Sequence, residues 1–156
     1  MWPDLFYLMG EALKEAEKGL SEGEVPVGAV LARPDGKIVT KAHNQPITRK
    51  DPTAHAEILA IKKACVLCQN YRLPDSILVV TLEPCLMCMG AAIHARVASL
   101  VFGALDPKTG AAGSLYNLAA DRRLNHRIEV ISGIMETKCR TLMQDFFKIR
   151  RQKSEK

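Results

Sequence analysis

The chain reads as a layered α/β domain with helices on both sides of a mixed sheet. Short, apolar, β-branched runs such as residues 77–81 have the pattern of buried strands. They alternate with stretches whose apolar residues recur at helical spacing, the order that builds a layered sheet. The chain has 156 residues, 47% of them hydrophobic, which is about one domain and enough for one core. A single domain over residues 1–156 is expected, ending in a basic tail over 148–156.

Asp4 follows Pro3 and can cap a first helix, in which Leu5, Leu8, Met9, Ala12, Leu13, Ala16 and Leu20 share one face. Residues 27–32 and 37–42 read as strands. Arg33-Pro34-Asp35-Gly36 between them is turn chemistry, so the pair is a hairpin. A second helix runs from Ala54 to about Cys65, with Asp51, Pro52 and Thr53 as its cap and helix-start residues. After the strand at 77–81, Pro84 opens a third helix through about Ala95, at a position where its missing N–H costs nothing. Residues 99–103 form another strand, and 106–113 are a loop rich in Gly and Ala. Residues 115–123 read as a short helix and 128–132 as the last strand. A final helix from about Thr137 puts Cys139, Leu142, Met143, Phe146 and Ile149 on one face.

Lysine and arginine number 22 against 17 acidic residues, a net charge of +5. Residues 148–156 hold five basic and one acidic side chain, so most of the excess sits on the tail. That suits nucleic acid, and it equally suits a solvated, frayed terminus. The longest apolar run, residues 85–93 with Gly90 inside it, is too short to span a bilayer, so no membrane association is expected. The first residues lack a basic leader and carry Asp4, which does not match a signal peptide, and a cytoplasmic location is expected. Five cysteines in such a chain point to metal binding or core packing rather than a disulfide scaffold.

Two segments carry chemistry. His55-Ala56-Glu57 opens the second helix, and Pro84-Cys85-Leu86-Met87-Cys88 opens the third. In an open α/β sheet such helix starts gather at one edge, where ligands bind. Cys85 and Cys88 are three apart and share a helix face. With His55 they offer two thiolates and one imidazole, a partial cage for zinc. Three protein ligands leave a position for water, which is the arrangement of a catalytic site. Glu57 then has the chemistry to take a proton from that water and return it to a leaving group. In a regular helix His55 and Glu57 would point nearly opposite ways, so they converge only where the first turn bends in. Cys65 and Cys68 make a second C-x-x-C, and the four cysteines have the spacing of a structural zinc site. However, Cys65 lies ten residues beyond His55, roughly 15 Å along a helix, so one ion cannot take both. Cys65, Cys68 and Cys139 are therefore expected to be core thiols. His43, His94 and His126 are expected to be hydrogen-bonded surface or packing residues.

H-x-E with a distant P-C-x-x-C resembles the zinc nucleobase deaminases. Segments 24–30, 51–57, 70–73, 81–85, 108–115, 125–127 and 145–147 extend that likeness over nearly the whole chain. Together they resemble the bacterial tRNA adenosine deaminases of TadA type. The resemblance implies a cytidine-deaminase-like three-layer α/β/α sandwich around a five-stranded mixed sheet. It implies conversion of adenosine to inosine at the wobble position of a tRNA anticodon stem-loop, chiefly of an arginine tRNA, by a homodimer. One zinc per subunit would sit on His55, Cys85 and Cys88, with Glu57 moving protons. Asn44 matches the position that hydrogen-bonds the flipped nucleoside. Asp106, Lys108 and Thr109 match a loop that touches neighbouring anticodon nucleotides, and Phe146, Phe147 and Arg150 match a C-terminal helix beside the splayed RNA loop. The chain departs from the pattern at Leu105, His43 and Gln45. Two other readings use the same residues: a deaminase of free guanine or cytosine, and a zinc-stabilised RNA-binding module without catalysis.

Overall fold

A computed structural model describes residues 1–155. Helix α1 (Leu5–Ser21) begins where the Asp4 carboxylate accepts the Tyr7 N–H. The hairpin follows as β1 (Gly28–Ala32) and β2 (Ile38–His43). A short α2 (Pro46–Arg49) leads into α3 (Ala56–Cys68). Then come β3 (Ile77–Leu82), α4 (Leu86–His94), β4 (Ser99–Ala104), β5 (Glu129–Ser132) and α5 (Glu136–Ser154). Among the described residues no helix is long and apolar enough to cross a membrane.

The five strands form one mixed sheet in the order β2-β1-β3-β4-β5. β1 is antiparallel to both β2 and β3, while β3, β4 and β5 run parallel. One edge therefore collects the carboxyl ends of β3, β4 and β5, the amino end of β1 and the carboxyl end of β2. Alternate side chains serve the two faces. Val30, Ile77, Val79 and Val101 pack with Leu8, Met9 and Ala12 of α1 and with Cys139 of α5. Ala29, Leu31, Leu78, Val80, Leu100 and Phe102 pack with Leu59 and Ala60 of α3 and with Met89 and Ala92 of α4. The result is the expected three-layer sandwich.

Two glycines let helices lie close to the sheet. A Cβ at Gly28 would stand 1.9 Å from the Ala12 carbonyl oxygen of α1, and one at Gly103 would stand 2.3 Å from Cys139 Sγ of α5. Polar contacts complete the seam between α1 and the edge strand β2. Lys41 Nζ reaches Glu11 at 2.6 Å, and His43 lies 3.2 Å from Glu15 and 2.9 Å from Glu22. Lys41 and Lys14 hold the Glu11 carboxyl down at about 2.

Several sequence expectations need correction. Residues 115–123 are not a helix. The N–H groups of Leu115 and Tyr116 turn back to the Gly110 carbonyl and that of Leu118 to Ala111, so no helical ladder forms. Pro84 does not open α4. The chain stays extended through Cys85, which bridges to Gly110, and Cys85 becomes the N-cap. Helix α3 starts at Ala56 and runs on to Cys68, and Asp51 turns its carboxylate to the Thr53 N–H and hydroxyl instead of capping it. Cys65 is half-buried and Cys139 buried, but Cys68 is exposed at the end of α3 and is no core thiol. On α5, Cys139 is buried and Leu142, Met143 and Phe146 partly so, while Ile149 is exposed because the helix runs beyond the sheet it rests on. The tail is helical through Ser154, and Lys156 lies outside the described residues.

Gly28→Ala should destabilise the fold by about 3 kcal/mol, at the upper end of overpacking costs, because backbone and not a movable side chain blocks the methyl group. Gly10→Ala has open space around it within a helix and should stabilise by about 0.5–1 kcal/mol. Chemical denaturation of both variants checks the pair.

Candidate active site

Every residue singled out on strand ends and helix starts lies at the edge that gathers the carboxyl ends of β3 and β4. Asn44 leaves β2 there, Cys85 follows β3 and Asp106 follows β4. His55 is the N-cap of α3 and Cys85 the N-cap of α4, both with extended backbone and neither making a side-chain cap bond. Cys88 stands one turn into α4 and is buried. The extended conformation at His55 resolves the directional conflict between His55 and Glu57. Only Glu57 follows helical geometry, and Ala56 between them takes its cap from elsewhere, its N–H donating to Asn44 Oδ1 at 2.8 Å.

His55, Cys85 and Cys88 converge, with their donor atoms all within 4.8 Å of one another. His55 Nδ1 lies 3.6 Å from Cys85 Sγ and 3.5 Å from Cys88 Sγ. A tetrahedral zinc with Zn–S of about 2.3 Å and Zn–N of about 2.0 Å sets an S···N edge of about 3.5 Å. The donor set and its spacing thus fit the ion. Among the described residues no other group of His, Cys, Asp and Glu side chains has this arrangement. Cys65 and Cys68 sit at the far end of α3 from His55, which removes the four-cysteine alternative.

The electrostatics suit a site built on two helix N-termini, whose partial positive charge favours thiolates. The Cys88 thiol, donating to Cys85, holds that thiol down at about 4, with help from the His55 ring. Cys88 is pushed up in turn by the Cys85 thiolate, by burial and by Glu57. The Cys85 thiolate raises His55. Glu57 is buried at 3% exposure, and that burial raises its carboxyl despite the hydrogen bond from Cys88. A buried carboxyl beside a metal-binding group is placed to exchange protons with whatever that group binds.

The other sequence candidates fall into three groups. Asn44 is buried beside the cluster, tied to the first turn of α3. Asp106 and Thr109 bind each other: Asp106 Oδ1 accepts the N–H groups of Lys108 and Thr109, and Oδ2 accepts the Thr109 hydroxyl. Lys108 is exposed. Phe146 and Phe147 pack edge to face with centroids 5.3 Å apart, and the Arg150 guanidinium lies 5.7 Å from the Phe146 ring. No hydrogen bond or ion pair among the described residues links this α5 group to His55, Cys85 or Cys88.

Sequence reasoning missed two buried carboxylates on either side of the site. Glu24, 1% exposed, accepts the N–H groups of Ile47 and Thr48 and the Thr48 hydroxyl, and so anchors α2. Glu83, 2% exposed, accepts the N–H groups of Asp106, Ala112 and Ser114 and the Ser114 hydroxyl. The available signal was Glu83's place directly before Pro84-Cys85.

The chain is similar to known proteins in sequence and in fold. The sequence model of the cytidine and deoxycytidylate deaminase zinc-binding region covers residues 4–104. A tRNA-specific adenosine deaminase of Bacillus subtilis (strain 168) is 48% identical over 145 residues, 93% of this chain and 89% of that protein. Another from Haemophilus influenzae is 47% identical over 93% of this chain and 84% of its own length. A solved structure from a study of A-to-I editing by tRNA:A34 deaminases superimposes with a TM-score of 0.84 at 40% identity, covering 87% of this chain and 98% of that one. The chain thus has a cytidine-deaminase-like fold and belongs to the tRNA-specific adenosine deaminases, within the zinc-binding cytidine and deoxycytidylate deaminase family.

Proposed function

We propose that this protein converts adenosine to inosine at the wobble position of a tRNA anticodon stem-loop, an arginine tRNA first among its substrates. The reading rests on one observation above the others, the meeting of His55, Cys85 and Cys88 beside the buried Glu57. The named activities of its relatives supply the substrate class.

His55 Nδ1 and the sulfurs of Cys85 and Cys88 would hold one zinc per subunit. Such an ion supplies a water acidic enough to lose its proton near neutral pH. Glu57 would carry one proton of the attacking water to the purine ring nitrogen next to C6, and then the second, from the hydroxyl left on C6, to the departing amine. Oxygen bonds to C6, the C6–N bond breaks, and water plus adenosine become inosine plus ammonia. Asn44, already oriented by Ala56, presents its amide NH₂ to the extruded nucleoside. Asp106, Lys108 and Thr109 meet the flanking nucleotides, while Phe146 and Phe147 offer aromatic faces and Arg150 a cation to the splayed loop. A wobble base lies in an unpaired loop, so its extrusion costs less than from a duplex. We place the enzyme in the cytoplasm as a homodimer. Exposed Val66, Leu67 and Leu86 on α3 and α4 are apolar surface for a second copy to cover.

Purified protein incubated with an anticodon stem-loop bearing wobble adenosine should convert it to inosine. Glu57→Ala should lower the rate by at least about a hundredfold while retaining zinc. No conversion by zinc-loaded wild type, with ammonia released from free guanine or cytosine, would replace the RNA reading with the free-base one. His55→Ala and Cys88→Ala should lose zinc by metal analysis, and Cys65→Ala with Cys68→Ala should keep it. The opposite pattern would restore the four-cysteine site. Removing Lys148, Arg151 and Lys153 together should raise KM for the stem-loop and flatten its dependence on salt, because fewer counterions are then released on binding.

A further inference from the structure

Glu83 has no part in the chemistry just described, yet it is among the most heavily hydrogen-bonded side chains of the protein. Its Oε1 accepts the Asp106 N–H at 3.1 Å and the Ser114 hydroxyl, and its Oε2 accepts the N–H groups of Ala112 at 3.1 Å and Ser114 at 3.0 Å. Those donors are the two ends of one loop. Between them lie Lys108 and Thr109, already knotted to Asp106. The loop is thus a single hydrogen-bonded unit with one buried anchor, and that anchor sits two residues before Cys85.

The backbone around Glu83 reinforces the link. Its N–H donates to the Ala104 carbonyl, the Pro84 carbonyl accepts the Ala111 N–H, and Cys85 bridges to Gly110. Gly110 has no room for a side chain, since a Cβ would lie 2.3 Å from both the Glu83 carboxyl carbon and its Oε2. The loop therefore presses directly on the carboxylate.

We propose that Glu83 is a positioning residue for substrate selection: it sets the 106–114 loop against the His55–Cys85–Cys88 group, and through that loop governs discrimination among nucleotides flanking the reacting base. This inference rests on the RNA reading of the site. A purely structural Glu83 would stabilise the fold without affecting which sequence is preferred.

Glu83→Gln separates the two roles. The amide oxygen at the Oε2 place keeps the Ala112 and Ser114 N–H bonds, and the Ser114 hydroxyl can turn to accept from the new NH₂. The Asp106 N–H then faces a donor and loses its partner. The substitution thus frees the front of the loop while most of the anchor remains. The test measures kcat and KM of zinc-loaded protein on a stem-loop with the preferred flanking nucleotides and on one with a flanking nucleotide changed. Glu83→Gln should keep its zinc and lower the preference ratio about tenfold, chiefly through KM on the preferred RNA. Ser114→Ala removes one hydroxyl bond from an exposed residue and should shift the ratio the same way by a smaller factor, which covers failure of the first variant to fold. An equal fall on both RNAs, or an unchanged ratio in both variants, overturns the proposal. Wild type that converts neither RNA overturns the underlying RNA reading instead, so the two failures are distinct.

Discussion

The site depends on β3. It is the sheet's central strand, antiparallel to β1 on one side and parallel to β4 on the other, and nearly all its residues are buried. It sends Ile77 and Val79 to the α1 and α5 side and Leu78 and Val80 to the α3 and α4 side, so a slip by one residue would exchange the two sets and misfit both cores. Its register fixes where Glu83, Pro84 and Cys85 emerge. The parallel β4 ends at the same edge and releases the loop that Glu83 gathers. The antiparallel β1 begins there, with Gly28 N–H donating to the Thr81 hydroxyl at 3.2 Å. The position of the first thiol is thus a consequence of sheet packing.

The two helix starts at this edge trade local stability for chemistry. An N-cap usually places a side-chain oxygen on an orphan backbone N–H. Here the N-cap positions hold His55 and Cys85, whose side chains turn to each other. Part of the deficit on α3 is made good by Asn44, which belongs to a different part of the chain. A residue expected to meet substrate is therefore also part of the scaffold, and its carboxamide is oriented before any ligand arrives.

Much of this was legible in the residues. The strands and the hairpin follow from period and turn chemistry, which depend on neighbours close in sequence, and the three ligands follow from residue type and from their places at helix starts. What escaped depends on hydrogen bonds and packing that residue pattern alone does not display. Residues 115–123 have helical composition, but Gly110 and Ala111 take their N–H groups. Pro84 looks like a helix opener, but Cys85 is pulled into a bridge with Gly110. Glu83 and Glu24 look like ordinary surface carboxylates until the loops folded over them are seen. The apolar pattern of α3 extends to Cys68, yet that thiol is exposed at the last residue of the helix.

The seam between α1 and β2 has a consequence for the protein's behaviour in concentrated solution. β2 is one border of the sheet, and an unpaired border strand is a template for another chain to add to. On this border Lys41 is engaged with Glu11, and His43 bridges Glu15 and Glu22, so an incoming strand meets a row of charges already committed to the helix. The opposite border, β5, is only four residues long and has Glu129 and Ser132 exposed. Open sheets of this kind invite fibrous or amorphous aggregation, and both margins here resist it, so apolar association is directed to the helical surfaces.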